Sequence, residues 1–136
     1  MIVSEILDIE LYKRRVGMVQ YVEDRSSTTQ FELGQMFHQG KDKTRDYEQA
    51  VKWYSCSAKR GYRRAQHRLG AMYAKGLGVS RNYVKAYAWC KVAAAQQSRC
   101  AIRKLARIET NLSSTQIIDA RRLARQYYQM YVVPFK

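Results

Sequence analysis

Acidic residues all but vanish from the second half of this chain. Residues 62–136 carry two of them against fifteen lysines and arginines, a net +13 out of +14 for all 136 residues. Residues 1–30 come to −1 and residues 31–61 to +2, so the charge belongs to one half. A field of one sign draws acidic partners, whether nucleic acid, anionic lipid or an acidic protein. The plainer alternative is a solvated surface that keeps the protein soluble.

Cysteine is scarce too. Cys56, Cys90 and Cys100 cannot all pair within one chain, and none stands in a CxxC or Cys/His metal spacing. They read as reduced core thiols, and no metal site is expected. Long apolar runs are lacking: the opening "MIVSEILDIELYKRR" alternates apolar and charged residues, unlike a secretory signal or a spanning helix, and no other stretch nears membrane length. The chain therefore reads as soluble and cytoplasmic, without integral membrane association.

Catalytic groups are equally thin. His38 and His67 lie far apart in sequence, and neither has a nucleophile or a carboxylate at a useful spacing. The glycines of "KGLGV" are not followed by the residues of a phosphate loop, so they mark a turn. No catalytic residue and no cofactor is assigned, and the chain reads as a non-enzyme.

What the sequence does contain is a repeat. Residues 31–65, "FELGQMFHQGKDKTRDYEQAVKWYSCSAKRGYRRA", lie over residues 67–101, "HRLGAMYAKGLGVSRNYVKAYAWCKVAAAQQSRCA", without a gap at an offset of 36. Leu33-Gly34 falls on Leu69-Gly70, Gly40 on Gly76, Tyr47 on Tyr83, Ala50 on Ala86, Trp53 on Trp89 and Ala58 on Ala94. A period in the mid-thirties marks a helical solenoid. Within a unit, Ala65, Leu69, Met72 and Tyr73 share one helical face, as do Tyr83, Ala86, Tyr87, Cys90 and Ala94. Each unit is thus a helix pair, with Gly76 and Gly78 free to take the positive φ that reverses the chain. Trp53, Trp89, Leu33, Leu69, Ala86 and Ala94 are expected in the core.

The pattern LGxMYxxGxGVxxNYxKAYAWxxxAA, with its poorer copy LGxMFxxGxxxxxDYEQAVKWYxxSA, resembles the Sel-1-like repeat, a relative of the tetratricopeptide repeat. The resemblance covers residues 31–101. It implies an all-α superhelix of antiparallel helix pairs that serves as an interaction scaffold and has no catalytic activity of its own. The first copy departs from the pattern at "GKDKTRDY", where the second glycine is missing.

The expected organisation is one domain: an N-terminal cap over 1–27, repeats over 28–65 and 66–101, and a half-repeat with a C-terminal cap over 102–136. That makes roughly seven helices. Ser4 is the candidate cap of an N-terminal helix carrying Leu7, Leu11 and Met18. Ser113 or Ser114 can cap the last helix, and Ser113 with Gln116 makes a capping box. The helix that follows places Ile117, Ala120, Ala124, Tyr127 and Tyr131 on one seam, and Pro134 stops it.

If the apolar face of each first helix points inward, the other side lines a concave groove. The second repeat puts Arg64, His67, Arg68, Ala71 and Lys75 there. One period earlier stand Thr28, Phe31, Glu32, Gln35 and Gln39; one period later stand Cys100, Arg103, Lys104, Arg107 and Asn111. The candidate partner-binding set is Gln35, Arg64, His67, Arg68, Lys75, Arg103, Lys104 and Arg107. Arginine forks suit carboxylate or phosphate. Two functions fit: a protein adaptor whose groove takes an acidic or amphipathic partner segment, or an anion-binding module for nucleic acid, a nucleotide or an acidic membrane surface. The partner's identity and the oligomeric state are not written in the sequence.

Overall fold

The computed structural model describes residues 26–40 and 45–136. The expected N-terminal helix from Ser4 and most of the first repeat's loop lie outside the described residues. Within them run six α-helices: α1 (Ser27–Gln39), α2 (Tyr47–Ala58), α3 (Arg63–Lys75), α4 (Tyr83–Ala95), α5 (Arg99–Glu109) and α6 (Ser114–Tyr131). A 3-10 turn at Val133–Phe135 contains Pro134 and ends the helical chain. No strand occurs among the described residues. Helices α1, α3 and α5 begin 36 residues apart, and so do α2 and α4, so the sequence period is the structural period.

The repeat is visible in the caps. Asp46 and Asn82, one period apart, begin α2 and α4 by accepting the Gln49 and Lys85 amides at 3.1 and 3.0 Å. Their own amides donate back to the carbonyls of Phe37 and Tyr73, at 2.9 and 3.0 Å, and so tie each turn to the helix before it. Two turns of unlike sequence therefore end in one geometry. Ser26 and Ser98 cap α1 and α5. Ser113 and Gln116 complete the capping box of α6, with bonds of 3.1 and 2.9 Å.

Close packing within each pair depends on a glycine. A Cβ at Gly34 would lie 2.5 Å from the Tyr54 ring, and one at Gly70 would lie 2.6 Å from Cys90 Sγ. These are equivalent positions one period apart. In each repeat the bare backbone of the first helix receives a side chain of the second, a large one in repeat one and a small one in repeat two. Trp53, Trp89, Leu33, Leu69 and Ala86 are buried as expected, whereas Ala94 is only half-buried and its neighbour Ala93 is fully buried.

Helix α6 lies on α4. Ala120 and Ala124 are buried beneath it, and Ile117, Tyr127 and Tyr131 are half-buried beside them. Trp89 stacks on Tyr127 at 4.4 Å between ring centroids and on Tyr131 at 5.5 Å. The end of α6 reaches the turn between α2 and α3, where a Cβ on Gly61 would meet the Tyr131 carbonyl at 3.0 Å. No disulfide joins the cysteines. Cys90 is buried, but Cys56 is half-buried and Cys100 is exposed on α5, so only one is a core thiol.

Candidate functional site

Helices α3 and α5 bring a set of cations together. Lys104 of α5 is half-buried, and its ammonium is held below the usual lysine range, by burial first and then by the positive charges of Lys75 and Arg68 on α3. His67 feels Lys104 and Arg68, and His38 at the end of α1 feels Arg68, Lys75, Arg45 and Lys104. The charged neighbours that shift both imidazoles are all cations. Burial comes first in each case and pushes the His67 ring down to about 4, so both rings are neutral near pH 7. Arg68, Lys75 and Lys104 then carry the charge of this surface.

The aromatic floor beside this set belongs to repeat one. The Tyr54 hydroxyl and His38 Nδ1 are hydrogen-bonded at 3.1 Å, and the His38 ring stands edge-on to Tyr54 and Tyr47. Burial raises the Tyr54 phenol to about 12, against the opposing pull of Arg68 and Arg64, so it stays protonated. At the equivalent place in repeat two, burial raises the Cys90 thiol to about 12 as well, and it is no nucleophile.

The expected groove residues fall in three groups. Arg68, Lys75, Lys104 and His67 lie within electrostatic reach of one another. Arg64 is exposed on α3 and sets its guanidinium over the Phe31 ring, 4.7 Å from the centroid. Gln35 is half-buried on α1, and Arg103 and Arg107 stand exposed on α5. Two positions read as groove lining are core instead. Phe31 is buried against Tyr54 and Tyr62, and Ala71 is buried on α3. The face read from the apolar seam is therefore too wide by one residue on α1 and on α3. His38 and Tyr54, which adjoin these cations, were not among the expected residues. Their signal was a tyrosine standing where the next repeat has a cysteine.

The half-buried, neutral His67 has a measurable consequence. Between about pH 4 and its ordinary value of 6.5, the unfolded chain takes up a proton that the folded chain refuses. Stability is therefore fully present above pH 6.5 and falls as the pH is lowered toward 4. Thermal melts of wild type and His67→Gln from pH 7 to 4.5 test this. The variant should lose part of the acid slope, and the His38 ring, shifted in the same direction, keeps the rest; parallel slopes would exclude His67 as a source.

Solenoid geometry at this period is decided by the family comparison. The Sel1 repeat model matches residues 27–62 and 63–98, more than half of the chain. The chain belongs to the Sel1 repeat family. These two Sel1 repeats coincide with the pairs α1–α2 and α3–α4, and the fold they build is typically a non-catalytic scaffold for protein interactions. Among solved structures, the chain is similar to c5321, a protective antigen present in uropathogenic Escherichia coli strains and displaying the same fold. The identity is 32% and the TM-score 0.76, over 81% of this chain and 24% of that one. It is also similar to a Sel1 repeat protein from Oxalobacter formigenes, with 26% identity and a TM-score of 0.63 over 90% of this chain and 55% of that one. The chain thus spans about a quarter of the first and about half of the second. No curated protein matches it. Among the described residues no helix is long and apolar enough to cross a membrane, and no His/Cys/Asp/Glu group could hold a metal ion.

Proposed function

We propose that this Sel1 repeat protein is an adaptor that receives an acidic or amphipathic partner segment on the surface of α1, α3 and α5. The supporting observation is the crowding of Arg68, Lys75 and Lys104, where burial first and the neighbouring positive charges second depress Lys104. Like charges held together in a half-buried site cost free energy in the unbound protein, and a ligand carboxylate offsets that cost while gaining charge-assisted hydrogen bonds. Arg64, Arg103 and Arg107 extend the same surface outward, and Gln35 extends it toward α1. An adaptor uses this field for recognition and needs no reaction, in keeping with a thiol and imidazoles that burial keeps uncharged.

A labelled ten-residue peptide alternating glutamate and leucine serves as the probe, followed by fluorescence anisotropy. Arg68→Glu with Lys104→Glu should weaken it at least tenfold, with helicity and melting temperature nearly unchanged. Arg122→Glu with Arg125→Glu on α6 changes the total charge equally and should weaken it far less. Equal losses in the two variants would reduce the groove to a bulk charge effect. The same titration with a single-stranded oligonucleotide separates the anion-module reading. Tight binding that survives physiological salt would favour nucleic acid over an acidic protein segment.

A further inference from the structure

A second concavity lies away from that groove. It is a cavity of about 540 Å³ between the end of α4 and the middle of α6, within the size range of small-molecule sites, roughly 300–1,000 Å³. Its floor is apolar: Val92 and Ala124 are buried, and Ala95 forms a wall at the last turn of α4. The small side chains at 95 and 124 leave the space between the two helices unfilled. Its rim is basic, with Lys91 on one side and Arg121 and Arg125, one turn apart, on the other. Lys136 extends the basic margin past Tyr128, with its ammonium 5.1 Å from that ring's centroid.

Charge complementarity defines the occupant. Arg121 is held against the Tyr87 hydroxyl and feels Glu109, so one carboxylate is already near it. Lys91 and Arg125 face the same opening and add two further cations. An apolar floor under a rim of lysine and arginine is the arrangement that takes a molecule with a hydrocarbon body and an oxyanionic head. The head meets guanidinium and ammonium at the rim, and the body covers Val92, Ala95 and Ala124. A cationic or neutral molecule of the same shape gains only the second contact.

We infer that this cavity is a binding site for a small amphiphile with a single oxyanionic head, a carboxylate or a phosphate. It is independent of the acidic segment proposed for the groove. The test is a titration of the ¹⁵N-labelled protein with decanoate, decyl phosphate, decanol and decylammonium below their micelle concentrations. Saturable shifts confined to residues 91–95 and 121–129 are expected with the two anions, and the stronger of the two identifies the head group. Decanol and decylammonium should bind at least tenfold more weakly. Arg121→Glu with Arg125→Glu should weaken the anions at least tenfold, and Ala95→Trp, which fills the opening from an exposed position, should abolish binding. Should Ala95→Trp lose helicity, Gln129→Trp fills the same opening from an exposed place on α6. Arg68→Glu with Lys104→Glu should leave these shifts unchanged while it weakens the peptide, so the two sites fail or stand separately. Four ligands that bind alike, shifts that do not saturate, or filled variants that bind as wild type would overturn the proposal.

Discussion

Replacing Trp89 by alanine should lower the stability of the protein by about 3–5 kcal/mol, the range observed for emptying an aromatic core site. The indole is 3% exposed and packs in the same cluster as Leu69 and Met72 of α3. It is also the surface on which Tyr127 and Tyr131 stack, at 4.4 and 5.5 Å between centroids. Alanine removes the core filling and the seat of α6 together. Urea unfolding followed by far-UV circular dichroism measures the loss, and hydrogen exchange should show α6 protected least. Tyr127→Ala should cost less, since that ring is half-buried and leaves the α3–α4 contact intact. A Trp89→Ala protein that unfolds at the wild-type urea concentration would show that the indole does not hold these helices together.

Alanine at Gly78 should be the most damaging change in the turns. Gly78 has φ +73°, a conformation that costs an L-residue roughly 1–2 kcal/mol. A Cβ there would also lie 2.3 Å from the Tyr47 carbonyl oxygen at the start of α2, so the turn of repeat two would have to leave repeat one. Backbone cannot rotate aside as a side chain can, and overpacking of this kind costs about 1–3 kcal/mol more. Gly76 is the control. Its φ is +70°, but a Cβ would come no nearer than 3.2 Å to the Arg81 side chain. In urea, Gly78→Ala should therefore lose clearly more stability than Gly76→Ala. Equal losses would mean that only the turn conformation matters and that the two repeats do not touch at Tyr47.

Most of this architecture was legible because it recurs. An offset of 36 placed α3 under α1 and α4 under α2, and the serine capping box at 113–116 marked where the last helix begins. The register of the faces was harder to read. Phe31 and His67 are equivalent in sequence, but an aromatic ring in repeat one has Tyr54 and Tyr62 to pack against, and it turns inward. Tyr54 and Cys90 likewise share a position and differ in reach, and the tyrosine hydroxyl meets His38. The cavity between α4 and α6 was not legible at all. Its walls come from a helix that departs from the repeat, and periodicity cannot say how a departing helix will lie. Arg68, Lys75 and Lys104 could be placed on their helices, but their crowding follows from how α3 and α5 lie beside each other, which sequence spacing does not encode.

The ends of the second helices carry one more consequence. The buried amide of Gln66, on α3, donates to the Ala58 carbonyl at the end of α2, at 3.1 Å. Gln96, just past α4, donates both to Gln66 at 2.8 Å and to the Gly61 carbonyl at 3.1 Å. The polar groups at the close of repeat one are thus satisfied by residues of repeat two, the second of them from its far end. Unfolding repeat two alone would break these bonds across the repeat boundary, each worth about 0.5–1.5 kcal/mol net. Repeat arrays can melt from one end, unit by unit, when neighbours meet only through apolar surface. Here the shared hydrogen bonds make partial melting expensive, so the two repeats should lose their structure in a single cooperative transition.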